Sequence, residues 1–361
     1  MRRVCMANFL KSPRFLKKIK LGSSILGLIL LVYLIVKLGP AEILSHLQKV
    51  GFGFFYIFLL SLITISTVVW GWQLTIKSPQ KKVSFWYLCK VKLIGETVNT
   101  LTPLGWGGGD TVRVLMINKK LLPAQGTASV LVDRVLQNLS VALFMLIGVF
   151  LSFKELKLPL FLEIALSASL ALLLLVCAFL HVHSHRGFLG FFITLLQKTK
   201  IKKNFSEETL KHTAEINGYI SEFYKNQKAR FLLALGLQFL CRLLNAFEIY
   251  LVAIFIGHPL SLTQSYLLGS MTVIINTIFL FVPGTLGVLE GAFAGTFSLF
   301  NLDPTVGSSI QLVRRIRMLL WNFIGLALSI DFRKKNPIET NPVLSGSLSL
   351  PNSNFLAEDK R

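Results

Sequence analysis

The chain has 361 residues, 53% of them hydrophobic and only 15% charged, with a mean hydropathy of +0.63. A soluble domain cannot expose that much apolar surface, which excludes an ordinary cytosolic enzyme. Lys and Arg number 38 against 17 Asp and Glu, a net charge of +21, and because they gather in loops between long apolar runs, the anionic partner they indicate is membrane lipid and not nucleic acid.

Residues 1–20 carry Arg2, Arg3, Lys11, Arg14, Lys17, Lys18 and Lys20 with no acid, and the apolar run Leu21–Leu38 follows without a small-residue cleavage site. This predicts a basic cytoplasmic N-terminus and a retained first membrane helix. Further apolar stretches lie at Phe52–Ile76, Ala128–Phe153, Leu160–His181, Phe231–Ile256 and Ser308–Phe332, each longer than the ~20 residues that cross ~30 Å of hydrocarbon. Phe85–Ile117 and Ser261–Phe300 are equally apolar but broken by Pro and Gly, and read as hairpins that enter and leave by one face. The expected fold is an all-α integral membrane protein of about six full spanning helices plus two re-entrant broken-helix hairpins.

Charge placement agrees with that topology. Lys77, Lys81, Lys82, Lys119, Lys120, Lys198, Lys200, Lys202, Lys203, Lys211, Arg333, Lys334 and Lys335 fall inside, whereas the short outer loops hold Lys49, Lys154 and Lys157. Both termini are therefore expected in the cytoplasm, in a multi-pass bacterial inner-membrane setting. Residues 186–230 turn polar, and Asn204-x-x-Glu207 resembles a capping box opening an amphipathic cytoplasmic helix with Ile216, Ile220 and Phe223 on one face, lying along the bilayer. Residues 333–361 are rich in Pro, Ser and Asn, and read as a disordered tail. The membrane domain is thus residues 21–332.

A shift of 180 residues aligns Thr97 with Thr277, Pro103 with Pro283, Gly107 with Gly287, Asp110 with Glu290, Ser129 with Ser309 and Arg134 with Arg314. The matches fall on Pro, Gly, acid and Arg, the residues rare in membrane helices, so the shift is read as an internal repeat of residues 52–153 and 231–332. The charge pattern turns the two units upside down relative to each other, an inverted repeat of the kind transporters use.

The breaks are Pro103-Leu-Gly-Trp-Gly-Gly-Gly-Asp110 and Pro283-Gly-Thr-Leu-Gly-Val-Leu-Glu290. Pro103, Gly107, Pro283, Gly284 and Gly287 are the expected bends, because proline removes a backbone donor and glycine lets the chain turn sharply. Each returning half-helix begins with free N–H groups suited to an anion. Asp110 and Glu290 are either caps of those helix ends or ion partners. Arginine inside a membrane helix is costly unless paired or wet. Arg113, Arg134 and Arg314 therefore either pair with acids and snorkel, or form a phosphate clamp on each side of the membrane. Arg315 and Arg317 stand beside Arg314, and Asp133 beside Arg134; Arg242 and Glu248, six apart on one helix, point to different faces and are given no role.

Glu96, Asn99, Thr100 and Asn276 give the entering half-helices a polar stripe suited to helix–helix hydrogen bonds. His181-Val-His-Ser-His185 lacks a neighbouring carboxylate or Cys and reads as an interfacial loop, so no metal or other cofactor is expected. Cys5, Cys89, Cys177 and Cys241 are too far apart for a metal spacing and read as structural thiols.

The runs NTLTPLGWGGGDTVRVLMI, ASVLVDRVLQN, FVPGTLGVLEGAF and LVRRIRMLLWN resemble the membrane region of lysylphosphatidylglycerol synthase and the stand-alone proteins built on that region. The likeness rests on Pro103, Gly107, Asp110 and Arg113, on Pro283, Gly284, Gly287 and Glu290, and on the pair Asp133–Arg134; the GWGGGD run departs from the commoner form of the first bend. The resemblance implies a flippase-like role without the soluble aminoacyl-transfer domain, for which residues 333–361 leave no room. The expected function is movement of a phospholipid or related anionic amphiphile between leaflets without ATP hydrolysis. The alternatives are a membrane-embedded transferase acting on a lipid-linked substrate, or an accessory subunit of a lipid-modifying system. Partners are the phospholipid substrate and anionic membrane lipids, with a homo-oligomer left open.

Overall fold

The computed structural model describes residues 40–76, 83–101, 108–155, 207–279, 287–299 and 302–335, with isolated positions between 33 and 37 and between 164 and 175, and Thr285. The basic N-terminus, most of the stretches 21–38 and 160–181, the histidine loop, four expected bends (Pro103, Gly107, Pro283, Gly284) and residues 336–361 lie outside the described residues. Within them the chain is all helix: α1 Pro40–Val50, α2 Gly53–Thr75, α3 Phe85–Leu101, α4 Gly108–Ile117, α5 Pro123–Glu155, α6 Glu207–Asn226, α7 Lys228–Ile256, α8 Leu262–Ile278, α9 Val288–Leu299 and α10 Pro304–Lys335.

The two stretches interrupted by Pro and Gly are each divided into two helices, α3 with α4 and α8 with α9. Local chemistry sets several boundaries. Ser261 accepts from the Gln264 amide while the Gln264 side chain accepts from the Ser261 N–H, a capping box that starts α8. Gly257, left-handed at φ 91°, ends α7.

Helices α2, α5 and α7 are long and apolar enough to cross a bilayer. The 32-residue α10 has the length, but Arg314, Arg315 and Arg317 in its middle keep it below that apolar level. Burial is reversed relative to a soluble protein. Phe52 is 76% exposed and Phe323 74%, whereas Arg113 and Asp133 are fully buried, the distribution expected when the solvent is hydrocarbon. Exposed Phe52, Phe55 and Tyr56 cluster at one end of α2, and exposed Trp70 meets Phe85 beside exposed Trp86 at the other. Phe52 and Trp70 are ~27 Å apart along the helix, about the hydrocarbon thickness and the spacing expected of two interfacial belts.

Ile57 of α2, Val252 and Ile256 of α7, Phe293 and Phe297 of α9, and Ile310 and Val313 of α10 form one apolar cluster. Ile216, Ile220 and Phe223 of α6 form the expected single face. It is covered by Ala124, Ala128, Val132 and Leu136 of α5 and Ala234 of α7, so α6 spends that face on protein instead of lying along the lipid.

Short helix α1 docks onto α7 and α10. His46, 3% exposed, bonds through Nδ1 to Ser309 Oγ at 3.0 Å. Since the Ser309 hydroxyl donates to the Thr305 carbonyl at 2.7 Å, it accepts from His46, which fixes the neutral ring as the Nδ1–H tautomer. Burial first, then Lys49 and His258, push the His46 pKa down, against a smaller opposing pull from Glu42 and Asp303. The unfolded chain then binds the extra proton more readily, so this docking is fully stabilising above the ordinary histidine value near ~6.5 and is lost as pH falls below it. Melting of the detergent-solubilised protein between pH 7.5 and 5.5 is expected to show a steeper acid loss for wild type than for His46→Gln; equal slopes would refute the assignment.

Candidate functional site

At the first break, α4 presents Asp110 and Arg113, and α5 presents Asp133, Arg134 and Gln137. Neighbours in sequence point about 100° apart on a helix, so the pairing is crossed. Arg113 Nη2 donates to Asp133 Oδ2 at 2.5 Å and its Nη1 to Asp110 Oδ1 at 3.1 Å. Arg134 Nε donates to Asp110 Oδ2 at 2.7 Å. Gln137 and Gln238 each donate to Asp133 at 2.7 Å, and the Arg113 guanidinium lies 4.2 Å from the Trp72 ring centroid. Both Asp110 oxygens are taken by arginines, while the Gly109 N–H at the start of α4 is accepted by Asn99 Oδ1 at 2.9 Å. Asp110 thus pairs with Arg113 and Arg134, and it is Asn99 that accepts from the Gly109 N–H.

At the second break, Gly287 has φ 73° and Thr285 φ 48°. A β-branched residue in the left-handed region is strained; here the Thr285 hydroxyl donates to Asn276 Oδ1 at 3.0 Å and its carbonyl accepts from Arg315 Nη2 at 3.4 Å. Arg315 Nε donates to Glu290 Oε1 at 2.5 Å. Glu290 is 1% exposed, and its Oε2 has no hydrogen-bond partner among the described residues.

A third group joins α7 to α10. Glu248 of α7 faces Arg317 Nε at 2.8 Å and Arg314 Nε at 3.6 Å from α10. Lys92 and Glu96 of α3 pair at 2.9 Å, with Glu96 49% exposed although it sits within a hairpin helix. Arg134 and Arg113 lie within electrostatic reach of Glu96. Arg242, Lys92, Glu96 and Arg317 all lie within reach of Cys241. Electrostatic interactions therefore link Glu96 to the arginines of the first break, and Cys241 of α7 to both Glu96 and Arg317.

Of the residues singled out from sequence, Asp110, Arg113 and Arg134 meet in one cluster with Asp133. Glu290 pairs with Arg315, and Arg314 belongs to the Glu248 group. Sequence reasoning gave no site role to Glu248, Arg317 or Arg242 and did not single out Lys92. The signal was present, since any ion within an apolar stretch needs a partner or water, but the partner of Glu248 sits on another helix. Among the described residues no group of three His, Cys, Asp or Glu side chains could hold a metal ion.

Comparison with known proteins gives one family: the family described as the lysylphosphatidylglycerol synthase TM region matches residues 20–325. A UPF0104 membrane protein of Methanothermobacter thermautotrophicus is 24% identical over 305 residues, 81% of this chain and 89% of its own length. UPF0104 membrane proteins of Methanocaldococcus jannaschii and Pyrococcus horikoshii are 22% and 21% identical, covering 72% and 81% of this chain and 78% and 90% of theirs. No solved structure matches the chain significantly.

Proposed function

The chain belongs to the lysylphosphatidylglycerol synthase membrane-region family, and on that premise we propose that it translocates a phospholipid or related anionic amphiphile between leaflets without hydrolysing ATP. The observation that carries this reading is the string of ionisable side chains inside an apolar helical body: Arg113, Arg134, Glu96, Lys92, Arg317, Glu248 and Arg314. Ions set among apolar helices at this density are costly unless a polar ligand or water passes among them. The acyl chains stay in the bilayer while the headgroup moves along the string.

The inverted repeat gives the string two gates. Helix α3 lies on α10 and α8 lies on α5, pairs that exchange under the 180-residue shift, as expected for units 52–153 and 231–332 mounted in opposite senses. Arg134 holds the phosphate from the cytoplasmic side and Arg314 from the outer side. Arg113, already shared between Asp110 and Asp133, joins the clamp only by exchanging Asp110 for the phosphate. Glu290, with one oxygen unpartnered among the described residues, and Asp110 are the candidates for carrying a coupling proton.

Reconstitution into vesicles with labelled phospholipid tests the reading. Wild type is expected to exchange lipid between leaflets, and Arg134→Ala and Arg314→Ala each to slow exchange about tenfold or more, since a charge-assisted hydrogen bond is worth ~1.5–3 kcal/mol. No exchange by any of the three proteins would reject translocation; equal exchange by all three would reject the clamp.

A further inference from the structure

Arg314 and Arg317 stand about one turn apart on one face of α10. Both turn to Glu248 of α7, with Arg317 Nε 2.8 Å from Oε1 and Arg314 Nε 3.6 Å from Oε2. Glu248 is 2% exposed. A single carboxylate therefore faces two guanidinium groups, each with several N–H donors to place, and the group of three is net positive.

These contacts are attractions without hydrogen bonds. Arg314 Nε, Arg317 Nε and Glu248 Oε1 are all buried, and none has a hydrogen-bond partner among the described residues. The arginine–carboxylate pairs at the two breaks differ: Arg113 to Asp133, Arg134 to Asp110 and Arg315 to Glu290 each donate an aligned hydrogen bond. Much of the strength of a buried ion pair lies in such bonds, so Glu248 is the loosest of these carboxylate partners. It lies on the residue, Arg314, that the translocation reading assigns to the outer phosphate.

We propose that Glu248 is a tethered competitor for that phosphate: it holds Arg314 and Arg317 together, and a headgroup phosphate binds by drawing their N–H donors away from it. A phosphate presents oxygens on several sides and accepts from two guanidinium groups at once, whereas the Glu248 carboxylate meets the two Nε edges out of line. As the phosphate takes the donors, Glu248 moves aside but stays in the group, and two anions then balance two arginines. An uncharged headgroup cannot draw donors from a carboxylate. Glu248 thus sets the selectivity for an anionic headgroup and, by competing for the same donors, the ease of its release. The inference rests on the translocation reading in taking the phosphate to arrive on a lipid.

The test is retention of phosphatidylglycerol by the purified full-length chain in phosphatidylcholine nanodiscs, counted by native mass spectrometry. Diacylglycerol is the uncharged probe, and inorganic phosphate added to undoped discs forms a separate arm. Glu248→Gln keeps the size of the side chain and removes its charge; it is expected to raise retention of phosphatidylglycerol about tenfold, with no comparable gain for diacylglycerol. An ion pair with a structural role alone predicts loss of stability and no gain in retention. Should Glu248→Gln not fold, the same comparison is made beside Arg317→Gln. That variant is expected to retain severalfold less phosphatidylglycerol than wild type, and adding Glu248→Gln to it to raise retention again. No gain in either background, or equal gains for phosphatidylglycerol and diacylglycerol, overturns the proposal. Inorganic phosphate that competes with phosphatidylglycerol supports the phosphate chemistry; a gain for inorganic phosphate alone overturns the lipid source. A gain in retention by a chain that exchanges no lipid in vesicles rejects translocation and leaves the competitor, whereas exchange slowed by Arg314→Ala with retention unmoved by Glu248→Gln rejects the competitor alone.

Discussion

Arg113→Phe alone is expected to cost ~3–5 kcal/mol of stability, and Arg113→Phe with Asp133→Val together to recover most of that loss. The single change leaves the Asp133 carboxylate fully buried with only the Gln137 and Gln238 amides for company. The rescue is expected from the 180-residue shift proposed above, which sets Arg113 against Phe293 and Asp133 against Val313, both as fully buried as the ion pair. Trp72, now stacked on the guanidinium at 4.2 Å, would meet a phenyl ring instead. Recovery is incomplete, because Gln137 and Gln238 lose an acceptor and orphaned buried donors cost ~1–3 kcal/mol. Thermal melting of wild type, both singles and the double in detergent gives the coupling energy directly. A double variant as unstable as the sum of the singles would mean that the ion pair is not interchangeable with an apolar contact at this position.

That the residues 180 positions on from the Arg113–Asp133 ion pair are the equally buried but apolar Phe293 and Val313 marks how far the sequence could be read. Helix positions followed from apolar length and from breaks at Pro and Gly, because a backbone in hydrocarbon must bond within itself. That these ions need a partner or water also followed, since Asp110, Arg113, Asp133 and Arg134 all fall in apolar surroundings. Which acid meets which arginine did not. Asp133 and Arg134 are adjacent but point apart, so their partners are chosen by where α4 lies. The same holds for Glu248, whose arginines are on α10, and for α6, whose periodicity showed an apolar face but not that α5 and α7 cover it. Periodicity reports a direction around one helix; the neighbour in that direction is a property of the whole assembly.

Gly109→Ala is the second change expected to have a large effect, through sterics and not charge. A Cβ at this position would overlap the Gly95 carbonyl oxygen and stand 2.5 Å from Asn99 Cγ and Oδ1. The Gly95 carbonyl is backbone and cannot swing aside, so α4 must move away from α3. Moving it breaks the Asn99 cap on the Gly109 N–H, worth about 1 kcal/mol, on top of ~1–3 kcal/mol for overpacking. The same displacement carries Asp110 and Arg113 away from Arg134 and Asp133, so any folded fraction is expected to exchange labelled lipid more slowly than wild type. Gly236→Ala is the matched control: it too is a helix glycine, but its Cβ would meet nothing within 4 Å, and the substitution should be neutral or stabilise by up to ~1 kcal/mol. A Gly109→Ala protein that melts with wild type would show that α3 and α4 are not in backbone contact, and the crossed ion pairing built on that contact would fail with it.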